Sequence, residues 1–302
     1  MSRLLGAVDG FWFEKAPAAR PAVLRVLIGV YTLYYLARRY SMLMRISKSD
    51  PSLFAPVGVV SRLEKPVSPE TFRRILIMTF VANVAFVLGW RHRHTGPLFA
   101  GLFLWVMCYR NSWSMIYHND NALVLHAMIL GLTPSADALS LDALERGAPD
   151  SEGDWRYGWP VRLMSTVTAL TYFLAGVAKV AGPLGRGWAS GESLRGQIAV
   201  DGLRKELLGG KASPLAYALY DRLPLFGVMA LGSLVLELVA PAALFHKPLS
   251  RLWAVGAWQM HWGIFFIMGI KFRYQQSGLI FASFLPVERV LTWLVSQRAK
   301  RS

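Results

Sequence analysis

The sequence predicts an all-α protein: a polytopic transmembrane bundle of about eight helices, one domain over residues 1–302, with short amphipathic helices at the interface. Three observations predict it. Hydrophobic residues make up 54% of the chain. Apolar stretches of about 20 residues recur along it, each long enough to cross a hydrocarbon layer roughly 30 Å thick. Those stretches are continuous rather than alternating, which argues against a transmembrane β-barrel and leaves helices as the spanning structure.

Taken in order, Met1–Arg20 is mixed in character and holds Asp9, Glu14 and Pro17, so it does not read as a cleavable signal segment. Phe11, Trp12 and Phe13 read as an interfacial aromatic anchor ahead of the first span. Spans are expected at 21–37, 72–90, 97–117, 121–139, 161–182, 223–245, 251–270 and 276–297. Two connections are too long to be simple turns. Ser140–Pro160 is acidic, with Asp142, Glu145, Asp150, Glu152 and Asp154, and reads as a solvated connection rather than a pair of acid–base carboxylates. Gly182–Arg222 places Leu194, Ile198, Leu203, Leu207 and Leu208 at helical spacing among charges, which predicts surface helices broken by Gly209, Gly210 and Pro214.

The formal charge is +15, but it is carried in loops and at span ends, as at Arg38, Arg39, Arg73, Arg74, Arg204 and Lys205. That distribution suits anionic lipid headgroups, with no accompanying nucleic-acid motif. The basic first loop and the basic tail Arg298–Arg301 cannot both be cytoplasmic across eight spans, so orientation stays open. The single cysteine, Cys108, permits no internal disulfide and reads as a packed apolar residue. Phosphate loops, dinucleotide-binding glycines, His-Glu-x-x-His and Cys-x-x-Cys are absent, and no metal site is expected.

The informative residues are the polar ones within apolar runs. Lys179 lies near the end of the fifth span. Hydrocarbon cannot solvate an ammonium, so a lysine there is either a deprotonated base or an anchor whose long stem snorkels to the headgroups. Glu237 is isolated in the sixth span and either pairs with a buried cation such as Lys179 or stays protonated. Gln259 and His261 lie in the seventh span, where His261 serves either helix–helix hydrogen bonding or proton chemistry. His118, Asn119, Asp120 and Asn121 cluster at the start of the fourth. Asn119 or Asp120 is expected to cap that helix, and His126, further in, to bond a neighbouring one.

A resemblance rests on Tyr172-Phe-Leu-Ala-Gly-Val-Ala-Lys179, followed by Trp188 and Gly191-Glu-Ser193. It resembles the core of the vitamin K-dependent γ-glutamyl carboxylases and their bacterial relatives, the horizontally transferred transmembrane (HTTM) family. The carboxylases carry Tyr-Phe-x-Ala-Gly-Val-Lys-Lys, and the second lysine of that pair falls on Lys179, whereas the first is Ala178 here. Ser140-Leu-Asp142 resembles a Ser-x-Asp element, and the segment from His261 to Met268, Gly269 and Phe272 resembles the family's His-containing span. The carboxylases have Asn-His at the fourth span where this chain has His118-Asn119, so that match is inverted.

The resemblance implies a membrane enzyme, a lyase, in which Lys179 deprotonates a reduced, vitamin K-like quinone. The quinone anion reacts with O2 to give a stronger base, which removes a γ-hydrogen from a glutamate of a peptide or protein before CO2 adds. Lys179, His261 and His118 would be catalytic, and Asn119, Asp120, Tyr172, Trp188 and Gln259 would bind the cofactor. Such chemistry needs a water-poor site. The location expected is the cell membrane, with multiple passes and membrane lipid as a partner. Two other readings stand beside it: a non-catalytic protein that binds lipid or quinone or partners another membrane protein, and a transporter. No inverted repeat with paired broken helices supports the last.

Overall fold

The computed structural model describes residues 2–113, 115–116, 118–147, 149 and 153–290. Among these the fold is helical, and the one β feature is an isolated bridge between Ala16 and Asp154. The contacts divide the chain into two compact units, Met1–Met164 with Pro286–Ser302, and Ser165–Leu285.

The first unit holds α1 (Ser2–Trp12), α2 (Ala19–Ile46), α3 (Pro69–Leu88), α4 (His92–Asn111), α5 (Asn121–Gly131), α6 (Leu141–Arg146) and the start of α7 (Trp155–Ala181). Local chemistry sets the ends of these helices. Ser68 accepts a hydrogen bond from the Thr71 amide at 3.1 Å and Pro69 occupies the first turn, so α3 starts there. It stops at Gly89, whose φ of 61° lies in the left-handed region. The start of α4 has no cap of its own. Asp142 of α6 supplies it, accepting from the amides of Arg91 at 2.7 Å and His92 at 2.8 Å. Helices α4 and α5 touch backbone to backbone: a Cβ on Gly96 would stand 2.4 Å from the Gly131 carbonyl oxygen, so both positions need glycine. Phe72, Phe86, Phe99, Phe103 and Tyr109 fill the space between the helices.

The second unit holds the rest of α7, a 3-10 turn at Gly185–Ser190, α8 (Glu192–Leu207), α9 (Pro214–Leu219), α10 (Leu223–Leu238), α11 (Lys247–Met268) and α12 (Arg273–Gln276). Further 3-10 turns lie at Ala240–Leu244, between α10 and α11, and at Leu279–Phe284. Helices α8 and α9 are the broken surface pieces expected between residues 183 and 222. Lys205 of α8 donates to Asp201 and to the Met268 carbonyl, which ties α8 to the C-terminus of α11.

Several spans differ from the sequence reading: the helix of the third, expected over 97–117, ends at Asn111, and that of the sixth, expected over 223–245, ends at Leu238. The fourth, expected over 121–139, is helical only to Gly131, because Pro134 and a run of turns follow. The eighth, expected over 276–297, is not a continuous helix across its described part. Gly278 has a φ of 78°, and Pro286 cannot donate a helical hydrogen bond. Its residues 291–297 lie outside the described residues, as do Asp150, Glu152 and the basic tail. The irregular stretch leans on other elements instead. Thr168 of α7 donates to the Ile280 carbonyl at 3.3 Å, Ser165 meets Ser283 at 3.0 Å, and the Trp258 indole donates to the Gln276 carbonyl at 2.8 Å. Non-helical backbone is tolerated at membrane depth where protein groups satisfy it.

Among the described residues two helices, α3 and α7, are long and apolar enough to cross a bilayer, against the eight spans expected, and only 33% of the most apolar window of each is buried in the protein. A core helix of a water-soluble protein would be covered on most of its surface. These instead present Val81, Met78, Leu170 and Leu174 outward, as a lipid-facing helix does.

Candidate functional site

The second unit builds a site along one face of α7. Tyr172 and Lys179 are seven residues apart, two helical turns, and so project on the same side. Gly176 lies between them. A Cβ there would stand 3.0 Å from the Cβ of Glu237, so the glycine lets α10 approach closely enough for its carboxylate to reach the amine. Lys179 Nζ donates to both carboxylate oxygens of Glu237, at 2.6 Å to Oε2. The pair is asymmetric: the Lys179 side chain is 24% exposed and that of Glu237 is 7% exposed. Of the two sequence alternatives for Glu237, pairing with Lys179 is the one observed.

Trp188, from the 3-10 turn after α7, places its ring 5.4 Å from Lys179 Nζ in a cation–π contact. The turn is held against α10 at Gly191, where φ is 86° and a Cβ would stand 2.3 Å from the Gly227 amide nitrogen. The Trp188 indole N–H is buried and has no acceptor among the described residues. Buried donors are nearly always paired, so an unpaired one beside a charged pair marks a place for an acceptor.

Two turns back along α7, Tyr172 meets His261 of α11. Its hydroxyl lies 3.4 Å from Nδ1, and the rings are edge-to-face at 5.7 Å. His261 Nδ1 lies 2.8 Å from the Ala257 carbonyl oxygen. A carbonyl only accepts, so Nδ1 carries the proton and Nε2 is the basic nitrogen. Phe272, Trp253 and Phe281 close around this pair, with ring centroids at 5.2 Å from His261, 5.2 Å from Tyr172 and 6.0 Å from Tyr172 respectively. Gln259, two residues before His261, is exposed, about 200° around the helix from it.

The remaining candidates belong to the first unit. His118–Asp120 form a 3-10 turn ahead of α5, and the side chain of His118 lies outside the described residues. Asn119 donates to Asp120 Oδ1 at 3.1 Å. Asp120 occupies the N-cap position of α5, but its side chain makes no capping hydrogen bond, contrary to the expectation for it. Its Oδ2 accepts from Arg110 at 2.6 Å and from the Tyr35 hydroxyl at 2.6 Å. The ion pair is buried, with side chains 3% and 6% exposed, so pairing with a cation outweighs capping. Asn119 and Asp120 thus meet each other, Lys179 meets Trp188, and Tyr172 meets His261, in different units. His126 binds the Met164 carbonyl at 3.1 Å, the interhelical contact expected of it.

Sequence reasoning passed over Arg110 and Tyr35, and also Arg25. Arg25 is fully buried and donates to the carbonyls of Ser135 at 2.6 Å and Leu139 at 2.5 Å. The available signal was the cost of a guanidinium in an apolar helix, which applies to Arg25 and Arg110 as it does to Lys179. Among the described residues no group of three His, Cys, Asp or Glu side chains is placed to hold a metal ion.

No curated protein and no solved structure matches the chain. The family model of the HTTM domain matches residues 13–277, which include both polar clusters and every candidate site residue. With that match covering most of its length, the chain belongs to the HTTM family, whose domain is a membrane domain.

Proposed function

We propose that this protein is a multi-pass cell-membrane enzyme, carboxylase-like in its chemistry, that binds a reduced, vitamin K-like quinone beside Lys179. The observation that carries the reading is the unpaired, buried Trp188 indole N–H next to the Lys179–Glu237 pair. That set fits the cofactor: an oxygen acceptor would satisfy the indole, and a titratable amine–carboxylate pair stands alongside it. Bound there, a hydroquinone would supply an acidic hydroxyl and two reducing electrons for O2.

The chain's own residues would do the rest. Trp188 Nε1 would donate to a ligand oxygen, and Lys179 Nζ would accept a proton. His261 Nε2 offers a second basic nitrogen, oriented by the Nδ1–H bond to Ala257. Tyr172, Trp253, Phe272 and Phe281 would exclude water, without which a strong oxygen base is quenched. The substrate class this suggests is a glutamyl side chain of a peptide or protein.

A second reading is favoured by one observation. Lys179 sits in the last turn of α7 and is partly exposed, as a snorkelling anchor in a lipid- or quinone-binding protein would be. One substitution separates the two. Lys179→Arg keeps the cation and the partner Glu237, but guanidinium does not release its proton at accessible pH. Assayed in lipid nanodiscs with reduced 2-methyl-1,4-naphthoquinone, Lys179→Arg should fold normally and lose quinone turnover, as should Lys179→Ala. Full turnover by Lys179→Arg would leave the anchor reading.

A further inference from the structure

We propose that Glu237 is the proton reservoir that makes Lys179 a base: the proton taken from a phenolic ligand passes through Lys179 and comes to rest on Glu237. The inference rests on the quinone reading above and adds a residue and a direction to it. It starts from a conflict in the geometry. An ammonium bonded to both oxygens of a carboxylate has no lone pair to offer. A carboxylate alone is too weak a base for a phenol, whose acidity is close to that of an ammonium, about 10 on the pKa scale against about 4 for a carboxyl. The transfer becomes feasible only where the phenolate it produces is itself paired: that oxygen is left facing the Lys179 ammonium and the unpaired Trp188 indole N–H, while the drier carboxylate becomes neutral.

In the step, one N–H bond of Lys179 breaks and leaves its electron pair on Nζ, while an O–H bond forms on Glu237. Nζ then takes the ligand's phenolic proton, and the phenolic oxygen keeps the bonding pair. The amine ends as it began, and the net transfer is from ligand to carboxylate. No oxidant is consumed.

Three features suit Glu237 to this part. It is the drier partner, and a low-dielectric surround disfavours two separated charges more than a neutral amine beside a neutral acid. It is the sole titratable side chain of α10. The elements packed against α10 bring further titratable groups, Tyr172 on α7, Arg186 on the Gly185–Ser190 turn, Lys247, Arg251 and His261 on α11, and the charges of α8, and among the described residues Lys179 is the one bonded to the carboxylate. Gly176 fixes the approach of the two helices, so the carboxylate is held against the amine by backbone packing and not by loop geometry. Glu237 would not touch the ligand and is a positioning residue acting through Lys179.

The test reads the carboxyl group itself. Infrared difference spectra are recorded on nanodisc-embedded protein as reduced 2-methyl-1,4-naphthoquinone is added, with binding followed in the same sample by tryptophan fluorescence. Wild type should gain a protonated-carboxyl band. Glu237→Gln should lose it while still binding. Lys179→Arg, which keeps the charged pair and guards against misfolding of the first variant, should also bind without the band. The oxidised quinone, with no proton to give, should produce none. Binding without the band in wild type overturns the relay, as does a full band in Lys179→Arg. Absence of binding in wild type overturns the quinone reading, and the relay with it.

Discussion

At the residue scale, charges buried in helices carry most of the information, and they were unevenly legible. Lys179 and Glu237 stand out because each is isolated in a long apolar run, so the cost of burial flags both of them from the amino-acid order alone. Arg110 is the same kind of residue but sits one position from the end of α4, where a sequence shows only a charge near a boundary. Its partner Asp120 lies across a loop, next to Asn119 and Asn121, and so resembles a helix cap. The distinction between a cap and an ion pair is tertiary, and no local pattern encodes it. Removing one member of such a pair leaves the other charge buried and uncompensated. Arg110→Ala should therefore destabilise the protein by about 3–5 kcal/mol, whereas the paired replacement of Arg110→Met with Asp120→Leu should cost far less. Thermal unfolding in detergent for the single and double variants measures both. Equal losses would mean that the pair is not what holds α4 to the turn before α5.

At the element scale, helix existence was readable and helix continuity was not. Apolar composition predicts burial, and a buried segment need not be a helix. The residues after Gln276 are as apolar as a span, yet Gly278 and Pro286 interrupt them, and the Ile280 and Gln276 carbonyls are bonded by Thr168 and Trp258 of other elements. The acidic connection was read as a solvated loop for a related reason. Its Asp142 is buried and works at a distance, capping α4 from α6. Sequence shows which residues can cap, but not which helix they cap when the partner is some fifty residues away. Asp142→Ala should cost at least the ~0.5–2 kcal/mol of an ordinary cap and should raise amide exchange at Arg91 and His92. The same change at exposed Glu145, three residues on, should stay within about 0.5 kcal/mol. Similar effects at the two positions would remove the capping role.

At the scale of the whole molecule, class was the most legible property, because it is a sum over many residues and tolerates errors in any one. The all-helical content and the helical pieces between residues 183 and 222 both follow from periodicity and continuity of apolar residues. The division into two units did not, since the boundary at Met164 and Ser165 falls inside one continuous helix, α7, with no linker composition to mark it. The apolar surface left open on α3, α7, α10 and α11, with Val81, Leu174, Val228 and Leu252 each more than half exposed, needs a hydrocarbon environment. The protein should therefore stay with the membrane pellet through an alkaline carbonate wash and leave it only in detergent. Release by carbonate alone would mean that the basic surface, and not the apolar faces, holds it there.

The borrowed hydrogen bonds of the segment after Gln276 also set an order of assembly. A stretch whose polar groups rely on other elements has no stable form in lipid until those partners are in place. The partners, Thr168 at the Ile280 carbonyl, Ser165 at the Ser283 hydroxyl and Trp258 at the Gln276 carbonyl, all precede it in the chain. Synthesis runs from the N-terminus, so the ribosome delivers α7 and α11 before the segment that depends on them. Vectorial biogenesis thus makes an irregular closing piece feasible at this position, where the same piece early in the chain would emerge with nothing to receive it.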